Sequence, residues 1–178
     1  MPPSVDDYRQ RIANVAIGPT TLRNQGAPGI VDVARSFLKD LDLARFVTDD
    51  PAAFLRELDA NTEALRQSFP AEARENWGAA RKSVNLFLAE AYYHQFVCKA
   101  YGLHRVVAFL EVPLDSQVAV FLREAARDMQ VTDLPRWRGI KYVAPSVNKK
   151  YQDFALKFAK GIGADWERVH LDVMIWGR

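Results

Sequence analysis

The chain has 178 residues, 49% of them apolar and 26% charged, with a net charge of only +2; that suffices for one domain with a real core, or for two small helical halves sharing one, and excludes a disordered chain or a multi-domain machine. A single cysteine, Cys98, excludes a disulfide framework within one chain and a four-cysteine iron–sulfur cluster, and points to a reducing compartment. The opening Met1-Pro2-Pro3-Ser4 lacks the basic flank and apolar core of a signal peptide, and no apolar run approaches the roughly 20 residues that span a bilayer, so a cytoplasmic protein with no membrane partner is expected.

Nearly every long segment has helical periodicity and alternating β-branched runs are absent, which predicts an all-α fold. A first helix is expected within residues 4–14, before the turn at Ile17-Gly18-Pro19. After Gly26-Ala27-Pro28-Gly29, the stripe Ile30, Val33, Ala34, Phe37, Leu38 and Leu41 predicts a second. Thr48-Asp49-Asp50-Pro51 is a start signal for a helix running to about Ser68. Residues 76–101 read as one long central helix, apolar on most faces and ended by Gly102. A short piece over 103–110 leads to Pro113, and a helix runs from Ser116 to about Asp128. Another is expected from Ser146 to Lys160, and a last one, capped by Asp165, ends near Trp176. With no repeat or linker, residues 1–178 are expected to form a single helical domain, with an acidic part over about 1–75 and a catalytic and basic part over about 76–178.

The charge is unevenly spread. Between Asp40 and Asn76 there are nine acidic and four basic residues, whereas between Leu134 and Lys160 seven basic residues face only Asp153. The loop Pro135-Arg136-Trp137-Arg138-Gly139-Ile140-Lys141-Tyr142 interleaves cations with aromatics, a mixture that suits phosphates and stacked bases; the plainer reading is a solvated basic face.

Two positions carry candidate chemistry. In Glu111-Val112-Pro113-Leu114-Asp115-Ser116-Gln117-Val118-Ala119, Pro113 stops the preceding segment and delivers Asp115 to the N-cap of a new helix, where its carboxylate can accept backbone N–H bonds. Alone, that is also what an ordinary capping aspartate does. Lys82, within the polar cluster Trp77-Gly78-Ala79-Ala80-Arg81-Lys82-Ser83-Val84-Asn85, is costly to bury unless it is paired, or unless desolvation fits it to serve as a nucleophile or base; otherwise it snorkels to the surface. His94 and His104 have no metal-like companions and read as structural.

These residues resemble a known family. Lys82-Ser83-Val84-Asn85-Leu86-Phe87-Leu88-Ala89-Glu90-Ala91-Tyr92-Tyr93, Pro113-Leu114-Asp115-Ser116-Gln117-Val118-Ala119-Val120-Phe121 and His170-Leu171-Asp172-Val173-Met174-Ile175-Trp176 are similar, in order and spacing, to motifs of the helix-hairpin-helix DNA glycosylases, most of all the archaeal 8-oxoguanine branch. Arg23-Asn24-Gln25 falls where that family places an amide in its base pocket, although a turn cap is the plainer reading; Trp176 and His170 likewise read equally well as core residues. The resemblance implies a two-lobed helical glycosylase-like fold with a cleft between the lobes. It also implies a DNA partner carrying a modified base, and chemistry with neither cofactor nor metal. Asp115 and Lys82 would be catalytic, and Asp172, Trp176, Gln25, Asn24 and His170 would bind the base. Arg136, Arg138, Lys141 and Arg81 are the expected DNA-binding cations of a protein acting as a monomer.

The family's glycine-rich hairpin is missing, Trp77-Gly78-Ala79 being a poor substitute. The chain is short for the 8-oxoguanine branch, and the basic stretch over residues 136–150 is foreign to it. These departures favour a related group, small glycosylase-like proteins linked to hypermodified phage bases, some of which attack phage DNA as a defence. An 8-oxoguanine repair glycosylase/lyase is the alternative within the family, and a non-catalytic helical DNA-binding module the alternative outside it.

Overall fold

The computed structural model describes residues 2–22 and 24–176, and every regular element among them is helical. Arg23 lies outside the described residues. The α-helices are α1 (Val5–Ala16), α2 (Ile30–Lys39), α3 (Pro51–Ser68), α4 (Trp77–Tyr93), α5 (Gln95–Tyr101), α6 (Ser116–Asp128), α7 (Pro145–Ile162) and α8 (His170–Trp176), with 3-10 pieces at Leu43–Phe46, Ala71–Ala73, Leu103–Phe109 and Ile140–Tyr142. Among the described residues, no helix is long and apolar enough to cross a membrane.

Local chemistry sets most of the starts. Ser4 and Asp7 form a reciprocal capping box on α1, Asp7 N donating to Ser4 Oγ at 3.1 Å and Ser4 N to Asp7 Oδ2 at 2.7 Å. Asp50 caps α3 ahead of Pro51, accepting from Ala52 N at 2.9 Å. Asn76 caps α4 through Oδ1, which accepts from Ala79 N at 2.9 Å. Helix α4 is then surrounded, packing against α1, α2, α3 and α7, and it buries Ala80, Val84, Phe87, Leu88 and Ala91.

Two expected helices differ. The long helix over 76–101 breaks at His94, whose backbone is extended (φ −81°, ψ 105°) and whose Nδ1 accepts from Val97 N at 3.5 Å, capping α5. Its ring packs beside the stacked rings of Tyr8 and Phe96, with centroids at 4.8 and 6.2 Å, so packing onto α1 fixes the break. The last helix begins at His170, not after Asp165. Trp166 packs against one apolar cluster and Val169 against the other, whereas on a helix residues three apart share a face.

The buried apolar residues form two clusters. One gathers α1 to α5 with Leu103 and Val106; the other gathers Val112, Leu114, α6, α7 and Leu171, and Trp137 touches both. Between the 3-10 piece Leu103–Phe109 and α6, residues 110–115 form a non-helical strap that is buried up to Leu114.

Candidate active site

The strap ends on Asp115, and its two carboxylate oxygens do different things. Oδ1 accepts from Gln117 N and Val118 N, both at 2.9 Å, and so caps α6. Oδ2 faces Lys82 Nζ at 3.7 Å, and the two side chains are only 17% and 11% exposed. Lys82 Nζ also donates to Thr21 O at 3.4 Å. Burial pushes the Lys82 amine below its ordinary pKa, while the carboxylates of Asp115 and Asp172 oppose that shift. The lysine is thus held in the interior beside an anion rather than snorkelling into solvent.

Lys82 and Asp115 open onto a cleft of about 790 Å³ whose walls also include Thr21, Gln25, Leu86, Glu90, Asp172 and Trp176. On α4, Lys82, Leu86 and Glu90 recur every four residues along one face. On α8, Asp172 and Trp176 do the same; Trp176 is 56% exposed, leaving its ring open to the cleft. Burial pushes the Asp172 carboxyl up to about 6, helped by the neighbouring Asp115 and Glu90 carboxylates and opposed by Lys82 and a hydrogen bond from Trp176.

Gln25 reaches the same cleft because the α4 N-cap holds it: Asn76 Nδ2 donates to Gln25 O at 2.8 Å and to Gln25 Oε1 at 3.2 Å. Gly26 makes that approach possible. Its φ of +143° suits glycine, and a Cβ there would stand 2.6 Å from Ala73 Cβ. Asn24 lines a neighbouring cavity of about 470 Å³, together with Gln25, Lys141 and Tyr142.

Asn24 is thus beside the cleft and not in it, and two further expected site residues lie elsewhere. His170 does not line the cleft. Its Nδ1 accepts from Glu167 N at 3.1 Å, its Nε2 lies 3.5 Å from Tyr92 Oη, and its ring stands edge-on to Trp166, so it organises the start of α8. Arg81 is not a DNA-facing cation. It is 3% exposed, and its guanidinium donates to both Glu111 oxygens at 2.8 and 3.0 Å, to Asp59 Oδ1 at 2.7 Å and to Thr62 Oγ1 at 3.1 Å. Successive helical residues point about 100° apart, so Arg81 faces a second cavity, of about 460 Å³, while Lys82 faces the cleft.

Arg136, Arg138 and Lys141 are exposed on the loop between α6 and α7. Arg138 stacks over the Tyr142 ring at 4.8 Å and Lys141 lies 5.0 Å from the same ring. Trp137 Nε1 donates to Ser116 Oγ at 3.2 Å, pinning the loop one residue from Asp115, and Gly139 and Ile140 form part of the cleft wall. The loop thus gives Gly139 and Ile140 to the cleft, whereas Arg136, Arg138 and Lys141 are not among the residues that line it.

No family model, curated protein or solved structure matches this chain.

Thr21, Ser116 and Glu90 are cleft residues that sequence reasoning missed. Glu90 was readable from its two-turn spacing to Lys82; Thr21 and Ser116 are set by tertiary contacts. Among the described residues, no group of three His, Cys, Asp or Glu side chains is arranged to hold a metal ion. Chemically the site offers an amine and a carboxylate in contact, a second carboxyl that burial pushes up to about 6, and an open aromatic face.

Proposed function

We propose that the protein is a DNA glycosylase that cleaves the N-glycosidic bond of a flipped, modified base. The observation that carries this reading is the contact of Lys82 Nζ with Asp115 Oδ2 at 3.7 Å inside a cleft that Asp172 and Trp176 also line. A glycosidic bond inside a duplex is out of reach, so the nucleotide must be extruded into a pocket and read there by stacking and edge hydrogen bonds. Trp176 supplies the stacking face and Asp172 the hydrogen-bonding carboxyl. As the C1′–N bond breaks, positive charge grows on the sugar; the Asp115 carboxylate stabilises it and orients the water that attacks C1′. Arg136, Arg138 and Lys141 hold the backbone phosphates of the DNA that flank the flipped base, and the protein works as a cytoplasmic monomer without a cofactor.

The cleft, about 790 Å³, lies in the roughly 300–1,000 Å³ range of pockets for drug-sized ligands. The missing glycine-rich hairpin, the short chain and the basic stretch over residues 136–150 favour a hypermodified phage base met in antiviral defence over a compact repair lesion. Sharing of one cleft by two carboxylates and Trp176 speaks against a scaffold-only DNA-binding module.

A second reading concerns mechanism. The desolvated Lys82 amine beside Asp115 is suited to attack C1′ itself: the base leaves with the electron pair of its C1′–N bond, the sugar ring opens at C1′–O4′ to give an imine, and the 3′-phosphate leaves by β-elimination, which cuts the strand. Borohydride decides between them, because it reduces an imine to a stable protein–DNA crosslink. The lyase reading expects a crosslink with wild type and none with Lys82→Ala; excision without any crosslink leaves water as the nucleophile. The activity itself is tested by an excision screen over modified bases, intact phage DNA included, with abasic-site formation as the readout.

A further inference from the structure

Asp115 and Lys82 belong to different elements, and their contact depends on where the strap over residues 110–115 lies against α4. Among the described residues the strap has no β partner, and side chains from two helices hold it instead. From α4, Arg81 Nε and Nη2 grip both oxygens of Glu111 at 2.8 and 3.0 Å, and Asn85 Nδ2 donates to Glu111 Oε2 at 2.9 Å. From α7, Asn148 Nδ2 donates to the same carboxylate at 3.1 and 3.2 Å. One residue on, Gln152 brackets Val112, accepting from its N–H at 3.0 Å and donating to its carbonyl at 2.8 Å.

This polar core is costly. A buried ion pair is often no more stable than an apolar core of the same volume. Asn85 turns its amide nitrogen to Glu111 and leaves Oδ1 buried with no partner among the described residues, and an unmade buried hydrogen bond is itself destabilising. What the arrangement does supply is a fixed position, since a bidentate carboxylate with two further donors has little freedom to shift. Burial pushes the Glu111 pKa up, but Arg81, Asn85 and Asn148 together hold it below the ordinary glutamate value, so the clamp stays charged.

We propose that Glu111 is a positioning residue: clamped by Arg81, Asn85 and Asn148 behind α4, it sets the strap so that Asp115, four residues on, meets Lys82 in the cleft. The consequence for turnover rests on the excision reading, whereas the consequence for Lys82 needs no substrate. Lys82 faces the carboxylates of Asp115 and Asp172, and Glu90 lies on the same wall. Losing the Asp115 contact therefore lowers the pH at which the amine gives up its proton.

The test follows the pH dependence of Lys82 acylation by mass spectrometry in wild type, Asp115→Asn and Glu111→Gln, with melting temperature measured in parallel. Asp115→Asn sets the full downward shift of the midpoint, and Glu111→Gln is expected to move it the same way. If Glu111→Gln does not fold, Asn148→Ala, which removes one donor and leaves Arg81 in place, takes its role. A folded variant whose Lys82 titrates as in wild type overturns the proposal, as does an Asp115→Asn protein whose Lys82 does not shift. On a substrate found by the excision screen, Glu111→Gln is expected to lower kcat about 10- to 100-fold with little change in KM, as misplacement by about 1 Å does. Wild type that excises nothing counts against the glycosylase reading alone, and the lysine titration still decides the positioning role.

Discussion

At Asp115, cap and chemistry are separable, because one oxygen bonds the α6 amides and the other faces Lys82. Asparagine caps as well as aspartate, so Asp115→Asn removes the charge while keeping the cap. Asp172 makes the second residue-scale prediction. Its folded pKa, about 6, lies above the ordinary value of 3.8. Between roughly pH 4 and pH 6 the native state therefore binds more protons than the unfolded chain at this site, and stability falls as pH rises through that window. Asp172→Asn is expected to flatten this slope and to be more stable than wild type at pH 7.5, by an amount on the order of 2–3 kcal/mol. Denaturation of both proteins at pH 4 and 7.5 checks it, and an identical pH profile in the two would show that Asp172 is not held in a desolvated site. Adjacent Arg81 and Lys82 show what was legible at this scale. Both are cations in one polar run, and which faces the cleft depends on Glu111 and Asp59, 30 and 22 positions away.

Helix interiors were legible because their apolar spacing is local, whereas two of their ends were not. Apolar residues resume at Phe96 and Val97 in helical spacing, yet α4 stops at Tyr93, where His94 turns extended, packs its ring on Tyr8 and caps α5. Asp165 has the chemistry of a cap, but Trp166 and Val169 must reach different clusters, so α8 starts five residues later. Gly78, which stood out only as part of a missing hairpin, has a packing role. A Cβ there would lie 2.1 Å from Ile140 O and 2.9 Å from Val143 Cβ, so α4 and the 3-10 turn Ile140–Tyr142 touch through it. Gly78→Ala is expected to destabilise by about 1–3 kcal/mol in urea denaturation, the cost of overpacking a filled contact. Because Ile140 is also part of the cleft wall, the same change is expected to disturb the cleft; unchanged stability would mean that the contact is not close.

For the whole molecule, the charge asymmetry between residues 40–76 and 134–160 was legible in the chain, and so were the three motifs that carry Lys82, Asp115 and Asp172. Their meeting was not legible from spacing, because the cleft is assembled from segments near residues 20–25, 82–90, 115–117, 139–140 and 172–176, which only tertiary packing joins. The same packing separates the two faces of α4, putting the amine and its carboxylate on one side and the buried clamp on the other. Base excision requires that all of these parts act together, and one comparison tests it most directly: abasic-site formation by wild type and Asp115→Asn on the same set of DNAs carrying modified bases, intact phage DNA among them. Wild type is expected to release base from at least one substrate, and Asp115→Asn, folded and still binding that DNA, to be slower by about 10²- to 10³-fold, the scale of losing a preorganised electrostatic group. Excision by Asp115→Asn at the wild-type rate would contradict the assignment of Asp115 as the catalytic carboxylate.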